Sequence, residues 1–133
     1  MKKIILLSLL LVGGLSVRAA DTLNNWQVYL DGEMVAAFHE VQKERVLELS
    51  KLQAADSLVV THFCDTPNGE PSHLVVLDVD NTPLWRVSGI DNFIERFAIP
   101  WNSLSASESS VFKFMLQDSP TYNQFLFELR LNE

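Results

Sequence analysis

The chain has little of several things, and each shortage excludes a class. It holds one cysteine, Cys64, among 133 residues. Cys64 has no partner within the chain, so stability must come from burial, unless Cys64 pairs with a second chain. Bases are few, 10 Lys and Arg against 17 Asp and Glu, for a formal net charge of −7. Such a chain repels phosphate backbones, which argues against nucleic acid and anionic membrane surfaces as partners. Glycines number five, and the Gly13-Gly14 pair lies in the N-terminal segment. Nothing resembles a phosphate-binding loop. Beyond Val12 no apolar stretch approaches the roughly 18 residues that a membrane-spanning helix needs.

What the N-terminus does have is the layout of a secretory signal peptide. MKKIILLSLLLVGGLSVRAA runs from two lysines through the apolar residues Ile4 to Val12 to a small-residue end. Cleavage is expected near Arg18-Ala19-Ala20, before Asp21, which makes residues 1–20 the signal and 21–133 one exported domain. The expected destination is the bacterial periplasm or the medium. Lys2, Lys3 and Arg18 leave with the signal and no acid does, so 7 bases would remain against 17 acids, a charge of −10.

From Asn25 onward, apolar and polar residues alternate over short stretches separated by turn signals, the rhythm of an all-β domain. Trp26, Val28 and Leu30 alternate with Gln27, Tyr29 and Asp31, and Asp31-Gly32 reads as a hairpin turn into Met34–Phe38. Further strands are expected at Arg45–Leu49, Ser57–Cys64, His73–Val79, Leu84–Val87, Ile94–Ile99, Val111–Leu116 and Gln124–Leu131. In the last, Phe125, Phe127, Leu129 and Leu131 would share one face. Residues 33–55 compete with this pattern, because Val35, Phe38, Val41, Arg45, Leu49 and Leu52 nearly trace a helical stripe. Ile90, Phe93, Ile94 and Phe97 repeat the ambiguity on a smaller scale.

An internal repeat favours strands. VLELSKLQAADSLVVTHFCDTP (46–67) aligns with AIPWNSLSASESSVFKFMLQDSP (98–120), matching Leu52 with Leu104, Ala54 with Ala106 and Val59 with Val111. VYLDGEMVAAF precedes the first copy and LDVDNTPLWRV the second. Pro100 forbids a helix interior at 98–101 and, through the repeat, argues for strand at 46–49. Two similar strand sets facing each other predict a single two-sheet antiparallel β-sandwich of about 7–9 strands.

The order WQVYLDGEMV, LSKLQAADSLVVTHFCD, SHLVVLDVDNTPLWRV, FAIPWNSL and FLFELRL resembles small secreted β-sandwich proteins common in Bacteroidota. The resemblance spans nearly all of residues 25–131 and implies the fold and an envelope location, without a function or site residues. Those proteins often end on an Arg-rich, Cys-bearing strand, where this chain has Arg130 alone.

Candidate site residues concentrate in THFCDTPNGEPSH, residues 61–73. If Ser57–Cys64 and His73–Val79 were the arms of one hairpin, His62, Cys64 and His73 would share a surface at its loop end, a donor set suited to copper or zinc. No cofactor is required by the sequence. The Cys/His pair lacks the oxyanion loop and orienting residue of a nucleophilic site. Asp78-x-Asp80-Asn81 lacks the glycine and distal glutamate of a calcium loop and reads as a turn. Glu95 reads as a solvated charge. Trp101, after Pro100 in a loop-like stretch, is a candidate partner contact. These features support a non-catalytic binding module that engages another envelope protein, with metal or small-ligand binding around His62, Cys64 and His73 as the alternative.

Overall fold

Alternation along short segments produces strands here because each buries one face and leaves the other to solvent. The computed structural model describes residues 24–63, 72–89, 94–119 and 122–133. The signal-like segment, Cys64, Ile90 and Phe93 lie outside them. Strand β1 (Asn25–Leu30) turns into β2 (Glu33–His39), followed by β3 (Val46–Ser50) and β4 (Ser57–Phe63). Then come β5 (His73–Leu77), β6 (Pro83–Ser88), β7 (Ile94–Pro100), helix α1 (Trp101–Ser105), β8 (Val111–Ser119) and β9 (Tyr122–Asn132).

The β1–β2 turn is built by two residues at positive φ, Asp31 at 50° and Gly32 at 81°, the backbone that matches the twist of a two-residue hairpin. Nothing lies within 4 Å of where a Gly32 Cβ would be, so a side chain there meets backbone strain alone. Gly32→Ala is expected to cost about 1 kcal/mol and lower Tm by about 4–8 °C. Thermal unfolding checks this, and an unchanged Tm would refute the turn geometry.

The strands form two sheets, β2-β1-β4-β7 and β3-β9-β8-β5-β6. All pairings are antiparallel except β3 on β9. The expected β-sandwich is thus the fold, and the two halves of the chain share a pattern of strand pairing. In the first half β1 pairs with β2 and β4 while β3 goes to the opposite sheet. In the second, β5 pairs with β6 and β8 while β7 crosses over. Strand β9 breaks the symmetry by lying between β8 and β3.

The core fills the space between the sheets. Trp26, Val28, Leu58, Val60 and Phe97 from one meet Leu74, Val76, Phe112, Phe114 and Phe127 from the other, all fully buried. Phe127 stacks on Phe114 of its own sheet at 4.5 Å and on Phe38 of the other at 5.4 Å. A bulge explains the start of the helical stripe over 33–55. Register shifts in the β1–β2 ladder so that Val28 opposes Ala36 while Tyr29 opposes Met34, and the extra residue, Val35, imitates three-residue spacing. Leu52, which continued the stripe, is 84% exposed. A second bulge interrupts β9. Phe114 opposes Phe127 and Met115 opposes Phe125, so Leu126 and Phe127 are both buried and Phe125 faces solvent.

Candidate functional site

The hairpin on which the metal reading depended does not form. Strand β4 pairs with β1 and β7, whereas β5 pairs with β6 and β8, so His62 and His73 belong to different sheets. Alternation, which fixes a residue's face, cannot tell which sheet a strand joins. Cys64 lies outside the described residues, among which no three His, Cys, Asp or Glu side chains are grouped to hold a metal ion. Trp101 is also relocated. It is buried at the start of α1, with its indole N–H donating to the Gln53 carbonyl at 2.8 Å. A partner cannot reach it, because Pro100 ends β7 and turns the next residue inward. The Asp78 carboxylate accepts from the backbone N–H groups of Asp80 and Thr82, both at 2.9 Å, and holds a turn.

Glu95 requires a larger correction. It is buried rather than solvated, and it pairs across β4 and β7 with His62, Nδ1 to Oε1 at 3.4 Å. Ser72, also buried, hydrogen-bonds the same carboxylate through its side chain and its backbone N–H. Burial pulls the Glu95 carboxyl upward, but the hydrogen bonds from His62 and Ser72 and the charge of His62 outweigh it and hold the pKa below its ordinary value of 4.5. Period-two spacing carried the signal: Glu95 shares a face with Phe97 and Ile99, as His62 does with Leu58 and Val60. Although Ser, His and Glu meet here, Glu95 occupies the middle. Ser72 hydrogen-bonds the Glu95 carboxylate, whereas a nucleophilic triad places the histidine between the acid and the hydroxyl. Its chemistry is that of a buried polar clasp at one end of the sandwich.

The outer face of the four-stranded sheet is different. Its floor is Val59, 5% exposed although it points away from the core. Beside it a hollow of about 460 Å³ is walled by Tyr29 and Gln27 of β1 and by Ser57 and Thr61 of β4. Arg96 closes one end and the Asp31-Gly32 turn the other. The register explains the layout, since Gln27, Thr61 and Arg96 are cross-strand neighbours in one row and Tyr29, Val59 and Ala98 in the next. Thr61 Oγ1 donates to Gln27 Oε1 at 2.8 Å, and Gln27 Nε2 donates to Asn25 Oδ1 at 2.7 Å, which fixes the amide. Among the described residues Arg96 has no ion-pair partner, in contrast to Arg130, which is paired with Glu128. The size falls within the roughly 300–1,000 Å³ of small-ligand sites, with polar side chains set around Val59 and the Tyr29 ring.

Comparison with protein-family models, with curated proteins and with solved structures finds no match for the chain. No helix among the described residues is long and apolar enough to cross a membrane.

Proposed function

We propose that the chain is an exported, non-catalytic binding module of the bacterial cell envelope, and that the outer face of its four-stranded sheet is the binding surface. The observation that carries this reading is the hollow itself, with an apolar floor, an ordered amide and hydroxyl row, and a guanidinium free of any ion pair among the described residues. The outer face of the five-stranded sheet offers less, because Lys113, Glu128 and Arg130 occupy it in cross-strand rows and two of them are already paired. The N-terminal sequence and the resemblance to secreted Bacteroidota proteins support the location.

Thr61→Arg places a second long cation in the hollow, beside Arg96 at an outward-facing position, and is expected to leave the fold intact. In affinity capture from mildly cross-linked envelopes, the partner recovered with the wild type should be lost with Thr61→Arg. It should be retained with Met115→Arg, a control on the other sheet. Equal recovery with Thr61→Arg would remove this face from consideration.

A further inference from the structure

The two ends of the hollow carry opposite charges in a molecule that is otherwise acidic. The guanidinium of Arg96 stands at one end, and at the other the carboxylate of Asp31 spends Oδ1 on the backbone N–H groups of Asp56 and Ser57, at 2.8 and 3.1 Å. Between them lie neutral groups, the hydroxyls and amide of Ser57, Thr61 and Gln27 beside the Tyr29 ring and Val59.

We infer that the hollow binds a short zwitterionic peptide, its terminal carboxylate on Arg96 and its terminal ammonium against Asp31. This rests on the outer face being the binding surface and adds the ligand's chemical class. Three observations converge on it. First, the register places Arg96 opposite Thr61, four residues along β4 from Ser57, whose N–H Asp31 accepts. At about 3.4 Å per residue the two charged ends are about 14 Å apart along the strands. An extended chain spans at most about 3.3–3.6 Å per residue, so three or four residues bridge the ends once the reach of the Arg96 side chain is included. Second, a guanidinium presents paired donors that match a carboxylate in plane, which a lone hydroxyl row does not. Third, the net charge of −7 repels polyanions at long range, so a ligand with balanced charges is favoured over an acidic polymer. The amide of Gln27 and the hydroxyls of Thr61 and Ser57 then meet backbone amides, while Tyr29 and Val59 cover the small side chains.

Tetra-alanine is the probe, titrated calorimetrically into the protein alongside its N-acetylated form and its C-terminal amide. Wild type should bind the free peptide at least about tenfold more tightly than either blocked form, the effect of one charged hydrogen-bonded contact. Arg96→Gln should erase the penalty for amidation and keep that for acetylation. Asp31→Asn, which retains the Oδ1 acceptor for Asp56 and Ser57, should do the reverse. Both variants should melt as the wild type does. Binding that ignores terminal blocking, or that is unchanged by Arg96→Gln, would overturn the inference, as would no heat up to about 10 mM peptide. The binding-face reading is judged separately, by whether Thr61→Arg still captures the envelope partner.

Discussion

Phe127→Ala should destabilise the domain by about 3–5 kcal/mol, a large part of the roughly 5–15 kcal/mol that holds a domain of this size together. Phe127 is fully buried and joins the two sheets, with near-parallel stacking on Phe114 at 4.5 Å and Phe38 at 5.4 Å. Truncation removes the transfer energy of the ring and leaves a cavity that rigid sheets on both sides cannot close. Phe125, two residues earlier, is the internal control. It is 36% exposed, with the Arg45 guanidinium 5.3 Å above its ring, and Phe125→Ala should cost only about 1 kcal/mol. Guanidinium denaturation of both variants measures this. Equal costs would mean that β9 alternates without the bulge at Leu126, and a cost below about 1 kcal/mol for Phe127→Ala would contradict the core described here.

The second large effect concerns the buried clasp. His62→Leu leaves the Glu95 carboxylate inside the sandwich with Ser72 as its remaining partner, and breaking such a pair costs about 3–5 kcal/mol. Replacing both residues, His62→Leu with Glu95→Leu, removes the buried charge altogether. The double variant should therefore be more stable than His62→Leu by about 2 kcal/mol or more, and Glu95→Leu alone completes the double-mutant cycle that gives the interaction energy of the pair. Additive losses would mean that the two side chains do not act as a pair. The clasp also has a pH signature. Because the folded Glu95 pKa lies below its ordinary 4.5, its contribution is fully present above that value and is lost as pH falls through the folded pKa. Glu95→Gln should flatten the acid limb of the stability curve.

Much of this fold was legible in the sequence, because period-two alternation and paired turn residues are local signals. The β1–β2 hairpin could be read from Asp31-Gly32, and all nine strands from their apolar spacing. What failed was long-range or irregular. Val35 and Leu126 are single extra residues, and one inserted residue inverts the faces that alternation predicts. The repeat was visible as a faint alignment, yet Leu52 and Leu104, matched in it, end in opposite environments, one exposed and one buried. Grouping His62 with His73 assumed that β4 and β5 share a sheet; they lie in different sheets, and nothing local determines which sheet a strand joins. The hollow was missed for another reason. Gln27, Tyr29, Thr61 and Arg96 come from three strands and form no motif, and each sits at a position where alternation assigns an ordinary solvent-facing residue.

The central claim is that the four-stranded sheet presents the working surface. A photo-reactive phenylalanine analogue in place of Ala98, exposed beside Val59 on that face, tests it in living cells when compared with the same analogue in place of Val75 on the other sheet. The account predicts a discrete cross-linked adduct from position 98, abolished by Thr61→Arg, and none from position 75. An adduct from position 75 with none from position 98 would contradict it.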